Sequence, residues 1–172
     1  MALNDIIPYD DATYMPGAKK FAVGNGREQA IKAGEVVFKT LGNTAGFLVT
    51  AWTVAGAASA LRPSVGTDYI AGIATSTSTE TATADGTVAV MPVVSGMTFL
   101  VDPYTAASWD TQAEYDALVG SRIKLNYAAT TGKITALATD FTYNGCVVEP
   151  LNIVKHPGKV RISFRQALMY TS

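Results

Sequence analysis

The chain has 172 residues, of which 48% are hydrophobic and 16% charged, and its net charge at pH 7 is −1. This length suits one domain with a substantial core, and the composition is the opposite of a disordered chain. Because a net charge near zero creates no field that attracts nucleic acid or an acidic membrane, neither is expected as a partner. The single cysteine and single histidine exclude a disulfide scaffold and a Cys/His structural zinc site.

The first 27 residues are predicted to form an extended arm. Pro8 and Pro16 disfavour helix in the residues before them, and no hydrophobic period is sustained. We expect the arm to dock on a neighbouring subunit or a partner, because it carries more apolar side chains than a solvated tail needs: Leu3, Ile6, Ile7, Tyr9, Tyr14 and Met15. The arm lacks the basic start and apolar run of a signal peptide, which favours synthesis in the cytoplasm.

The remainder, residues 28–172, is predicted to be a single all-β domain, a barrel or sandwich of short strands. Apolar and β-branched runs recur at short spacing between turn residues. Counting from the end of the arm, strands are predicted at residues 21–23, 35–39, 46–54, 69–75, 87–94, 97–101, 123–127, 134–137, 146–149 and 160–166. In the last strand Val160, Ile162 and Phe164 alternate with polar residues, so these three are expected to face the core.

One short helix is predicted at about residues 111–119. Thr111 and Glu114 have the spacing of a capping box, and Gly120 suits the end of a helix. Tyr115, Leu118 and Val119 form an apolar stripe. We expect the helix to close one end of a barrel.

A charge-poor stretch runs from residue 40 to residue 101. Its charged residues are Arg62, Asp68, Glu80 and Asp85. Such a stretch predicts packed strands and surfaces that other protein covers, with the loop 55–66 and the Ser/Thr run 75–84 as candidates. The uncharged segment 40–61 has the length of a membrane span, but its glycines and hydroxyl side chains favour a strand instead.

No enzyme, cofactor or metal site is expected from the motifs. Gly24 and Gly26 lack the third glycine of a dinucleotide loop. Cys146 and His156 could pair as nucleophile and base, but a core cysteine and a turn histidine explain them more simply. The densest charge feature is a basic stripe, which is either a solvated strand face or a contact for an acidic patch on a partner: Lys155, Lys159, Arg161 and Arg165.

Several segments, taken in order, resemble the small head decoration proteins of tailed bacteriophages. These segments are AGEVV, DYIAGIATSTSTE, ADGTVAVMPVVSGMTFLV and the closing GKVRISFRQALMY, which together span residues 30 to 170. The resemblance is to the lambda-type and related β-barrel families, also called cement or auxiliary capsid proteins. The chain is longer than the smallest members by the 103–120 segment and the arm.

The resemblance implies a structural virion protein that binds the outside of an expanded shell and stabilises it. It implies the major capsid protein as partner, a homotrimer as the oligomer, and an arm over residues 2–15 that adds a strand to the capsid. Another virion component, such as a head fibre base, a tail tube subunit or a minor capsid protein, is an alternative. A carbohydrate-binding module is a further alternative, with Trp52 and Trp109 as candidate sugar-stacking residues.

Overall fold

The structure is a computed structural model that describes residues 7–8, 17–25, 30–40, 50–51, 68–106, 109–128, 133–137 and 146–165. These residues form eleven strands and one helix: β1 (Ile7–Pro8), β2 (Lys19–Val23), β3 (Val36–Thr40), β4 (Thr50–Ala51), β5 (Asp68–Ala74), β6 (Gly86–Met91), β7 (Thr98–Pro103), α1 (Gln112–Leu118), β8 (Arg122–Ala128), β9 (Lys133–Leu137), β10 (Cys146–Val148) and β11 (Val160–Phe164). The predicted all-β class with one short helix is confirmed.

The described residues fall into two compact units. The first, the sheet unit, holds those within Ala12–Val94, and the second, the barrel unit, holds those within Asp5–Asp11 and Ser95–Arg165. The sequence instead predicts an arm (1–27) and one domain (28–172). Residues 19–23 of the predicted arm form β2, so part of the arm belongs to a sheet. The two units reflect only how compactly the residues pack. The predicted boundaries of the arm and the domain therefore remain a prediction.

The sheet unit is a five-stranded antiparallel sheet in the order β2-β6-β5-β3-β4. Alternation along β6 explains which face is covered, because Val88 and Val90 are buried while Thr87 is exposed. These two side chains join a core cluster of Val23, Ile31, Val37, Ala74, Val88 and Val90. Each fully buried valine or isoleucine stabilises the sheet by about 1.5–3 kcal/mol relative to an exposed one.

The barrel unit closes on itself. Its strands run in the order β1-β7-β11-β10-β8-β9, and β9 pairs again with β7, in parallel. The five strands from β7 to β9 therefore form a closed barrel, and β1 is an additional strand beside β7. Where β9 pairs with β7, closure removes the unpaired edge that an open sheet would present.

Alternation in β11 fills the barrel as the sequence predicted. Val160, Ile162 and Phe164 are buried, while Arg161 and Ser163 are only half-buried. The rings of Phe164 and Phe99 meet edge to face, with centroids 5.4 Å apart. The other strands contribute further buried side chains: Val101, Ile123, Leu125, Ile134, Ala136, Cys146 and Val148.

Candidate partner-binding surface

The arm reaches the barrel through β1. This strand pairs antiparallel with β7, with Ile7 opposite Leu100 and Pro8 opposite Phe99. Farther along β7, Asp102 and Pro103 pair with Thr135 and Ala136 of β9. Of the predicted docking residues, only Ile7 lies within the described part of the chain, and its backbone forms a strand. The others, Leu3, Ile6, Tyr9, Tyr14 and Met15, lie outside the described residues, as do Trp52 and the loop 55–66.

β1 and β9 occupy the same edge of β7. Just past this strand, the Tyr104 amide donates to the Ala136 carbonyl at 2.8 Å, so Tyr104 directs its backbone groups toward β9. Backbone groups alternate between the two edges of a strand, so Leu100 directs its own toward the same edge. There Leu100 lies opposite Ile7. Pro8, one residue on, then turns its nitrogen, which has no hydrogen, toward the outer side of β1.

Helix α1 is fixed to the barrel by Tyr115. This side chain is fully buried, and its hydroxyl donates to the Glu149 carbonyl at 2.9 Å and accepts from the Arg161 amide at 2.9 Å. Burial raises the pKa of Tyr115 to about 12, which keeps the hydroxyl protonated as a donor. The Trp109 ring packs beside it, with centroids 5.8 Å apart. These contacts fix the helix beside the end of β10 and the start of β11, and its closing of one end of the barrel stays a prediction.

Gln112 holds the loop that leads from β10 to β11. Its amide nitrogen donates to the Leu151 carbonyl at 2.9 Å, and its amide oxygen accepts from the Ile153 amide at 3.1 Å. The Gln112 carboxamide thus bonds to the loop backbone as the main chain of a neighbouring strand would. Because Tyr115 bonds to residues on both sides of this loop, the helix fixes the loop at several points.

The tip of this loop presents an apolar side chain on an ordered turn. Val154 is 83% exposed. The carboxamide oxygen of Asn152 accepts from the amides of Val154 at 3.1 Å and Lys155 at 3.2 Å, and the Asn152 carbonyl accepts from the His156 amide at 3.1 Å. A bonded turn loses little conformational entropy on binding, so Val154 is suited to contact a partner.

Two cations of the predicted basic stripe, Lys159 and Arg161, are bonded within the chain. The Lys159 ammonium pairs with Asp102 at 2.7 Å. The Arg161 guanidinium donates to the Thr98 hydroxyl and to the Pro150 carbonyl, both at 3.1 Å. Arg165 is half-buried and also has a partner within the chain. Lys155 is exposed on the loop, and it is the member of the stripe best placed to meet an external acidic group.

Two other residues considered in the sequence are enclosed. Trp109 is 5% exposed and cannot present its face to a sugar. Cys146 is fully buried, and burial raises the pKa of its thiol, which keeps it protonated and unreactive. The structure thus places Cys146 in the core, as its simpler interpretation predicted.

The capping box at the start of α1 gives a test of how firmly the helix is held. The Thr111 hydroxyl accepts from the Glu114 amide at 3.3 Å, and the Glu114 carboxylate accepts from the Thr111 amide at 3.2 Å. Thr111→Ala is expected to lower the free energy of unfolding by about 1 kcal/mol, measured by urea titration. Thr111→Ser keeps the hydroxyl and is the matched control. Equal losses in both variants would contradict a role for the hydroxyl in the cap.

Comparison with known proteins adds no identification. No protein-family model, curated protein or solved structure is significantly similar to this chain. Within the described ranges, no helix is long and apolar enough to span a bilayer. Across the same part of the chain, no group of three or more His, Cys, Asp or Glu side chains is arranged to hold a metal ion.

Proposed function

We propose that this chain is a decoration protein of a tailed-bacteriophage head, which binds the outer surface of the capsid and stabilises it without catalysis. The observation that carries the proposal is the pairing of Ile7 and Pro8 with β7. It gives these two residues of the arm a strand conformation, and strand addition is the binding mode that the family resemblance implies. In this mode main-chain hydrogen bonds supply affinity and alternate side chains supply fit.

The arm supplies the apolar area in this mechanism. The docking residues Leu3, Ile6, Ile7, Tyr9, Tyr14 and Met15 would be buried against the major capsid protein, and each buried large side chain contributes about 1.5–3 kcal/mol before ordering costs. A lattice that repeats modest contacts many times turns them into lasting attachment. Internal DNA pressure must then break these additional contacts before the shell ruptures.

The loop fixed by α1 offers a second contact. Val154 is exposed on a hydrogen-bonded turn, and Lys155 beside it is exposed as well. An apolar side chain next to a cation suits a shallow pocket with an acidic rim. A homotrimer, the form that the resemblance implies, would present three such loops and three arms to the junction between capsomers.

The test is binding to bare expanded heads of the cognate phage. The purified protein is expected to bind with saturable stoichiometry and to raise the rupture temperature of the heads. Removing residues 1–16 should abolish saturable binding at micromolar concentration, because the apolar arm is lost. The matched control is a full-length chain in which the six apolar docking residues are serine. It retains the length and main chain of the arm and is expected to bind at least about tenfold more weakly than the natural sequence.

Other outcomes separate the alternatives. Absence of stoichiometric binding to heads would overturn the decoration proposal, and binding to tails or head fibres instead would favour another virion component. Undiminished binding of the truncated chain would exclude the arm as the main contact. In that case Val154→Asp and Lys155→Glu report whether the loop makes the contact instead.

A further inference from the structure

Among the described residues, β1 completes an edge of the barrel that the other strands leave open. β9 covers β7 only at Asp102 and Pro103, while β1 covers it at Phe99 and Leu100. The backbone amide and carbonyl of Leu100 point to this edge, so without β1 they would lose their strand partner. An unpaired edge of this kind is a template for a strand from another chain.

No charge protects this part of β7. The residues from Thr98 to Val101 are uncharged, and all of them except Leu100 are buried. By contrast, β2, an edge strand of the sheet unit, presents the exposed side chains of Lys19 and Lys20. Lysines on an edge strand discourage pairing with a second molecule. The β7 edge is therefore suited to accept a strand, whereas the β2 edge is guarded against one.

The strand that fills the edge is short and joined to the chain by a long connection. Two residue pairs give β1 little stability of its own. Residues 9–18 connect it to β2, and a segment of this length spans at most roughly 33–36 Å when extended. This reach allows the same residues to lie on the barrel of a neighbouring molecule.

We propose that Ile7 and Pro8 of one copy occupy the β7 edge of a second copy, so that the chain assembles by exchanging its arms. The exchanged pairing makes the same contacts as the pairing within one chain, which is why such exchange costs little. Pro8 also limits the assembly, because its nitrogen faces the outer side of β1 and cannot donate to a further strand. The exchange therefore adds one strand to each barrel. This inference concerns the free protein and stands apart from capsid binding.

Cysteines placed in separate chains test the exchange. Ile7 and Leu100 are directly opposite in an antiparallel pair, a position whose Cα separation of about 5.5 Å permits a disulfide. An Ile7→Cys chain is unfolded and refolded together with a Leu100→Cys chain and then oxidised mildly. The expected result is a disulfide between the two chains. The buried thiol of Cys146 does not compete.

Controls separate exchange from random collision. A Val154→Cys chain, with its thiol on the exposed loop, replaces the Leu100→Cys chain and measures the rate of unspecific cross-linking. The exchanged pair is expected to link at least about tenfold faster, because paired strands hold the two thiols at high effective concentration. A linking rate equal to that control, together with a disulfide inside single Ile7→Cys/Leu100→Cys chains, would overturn the proposal.

A second measurement needs no cysteine at position 100. Native mass spectrometry of the unaltered protein is expected to show oligomers whose fraction rises with concentration, and removal of residues 1–8 should reduce that fraction at least about tenfold. An unaltered oligomer fraction after the truncation, or a natural chain that stays monomeric throughout, would also refute arm exchange.

Discussion

Replacing Tyr115 by phenylalanine is expected to lower the free energy of unfolding of the barrel unit by about 1–3 kcal/mol. The ring would stay in its pocket, so the loss isolates the hydroxyl. That hydroxyl accepts from the Arg161 amide and donates to the Glu149 carbonyl, each at 2.9 Å. Its removal would leave the part-buried Arg161 amide without this acceptor. Desolvation of such a donor costs more free energy than the hydrogen bond itself contributes.

Trp109 is a natural reporter for this experiment, because its ring lies 5.8 Å from that of Tyr115. A Trp52→Phe background leaves Trp109 as the fluorophore, and urea unfolding followed by its emission gives the free energy of the barrel unit. Tyr104→Phe is the matched control, since Tyr104 is 53% exposed and its change is expected within about 0.5 kcal/mol. Equal losses at the two positions would show that Tyr115 does not fix the helix through its hydroxyl.

The all-β class and the presence of one short helix were predictable, because most strands bury one face. In β11 the alternation of Val160, Ile162 and Phe164 with polar residues left one choice of inward face, and the structure confirms it. The helix was predictable for a local reason as well. Its capping box joins two residues that are three positions apart, so the residues that predict the helix start lie within one helical turn.

The pairing of the arm could not be read from the sequence. β1 has two residues, one of which is a proline, so it shows no period by which a strand is recognised. Its partner residues on β7 are far away in the chain. Only the pairing of the strands in the structure shows that β9 leaves part of the β7 edge uncovered. Apolar content indicated that the arm docks on something, without indicating on what.

The state of the basic stripe also depended on distant residues. The Thr98 hydroxyl that accepts from Arg161 is 63 positions away, and the Asp102 carboxylate that pairs with Lys159 is 57 positions away. From the local alternation of charge, a solvated face and a contact with an acidic partner patch were both left open, and neither interpretation showed that two of the cations are bonded within the chain. Lys155 differs because it lies on the loop before β11 and not on the strand.

The Ser/Thr run had a similar long-range explanation. Read locally it is a low-complexity segment, but Ser78 is buried, and its hydroxyl accepts from the Ile31 amide at 2.7 Å. The Ser78 amide donates to the Ile31 carbonyl at 2.9 Å in return. Hydroxyl side chains thus hold the connection between β5 and β6 in an ordered structure. Partner contact by the run 75–84 stays a prediction, to which its exposed threonines are suited.

Gly72 in β5 is a position where one added methyl group is expected to destabilise the sheet unit strongly. Its φ is +152°, and the register of β3 against β5 shifts here, with Val37 opposite Gly72 and Phe38 opposite Ile70. A Cβ at this position would lie against the Met91 carbonyl group and within 2.7 Å of the Val90 Cγ1 atom. The neighbouring strand would have to move, because part of what the Cβ meets is backbone.

Gly72→Ala is therefore expected to lower the free energy of unfolding by at least about 3 kcal/mol, because backbone strain and overpacking add together.

Two control variants, measured by urea titration, separate the effect of backbone strain from that of overpacking. A Cβ at Gly96 would meet no atom within 4 Å, but the φ of Gly96 is +88°. Gly96→Ala is therefore expected to lower the free energy of unfolding by only about 1–2 kcal/mol, through backbone strain. Gly17→Ala meets no atom within 4 Å either, and no positive φ opposes it. Its change should lie within about 0.5 kcal/mol. If Gly72→Ala lowered the free energy of unfolding no more than Gly96→Ala, the close approach of β5 to β6 would not limit this position.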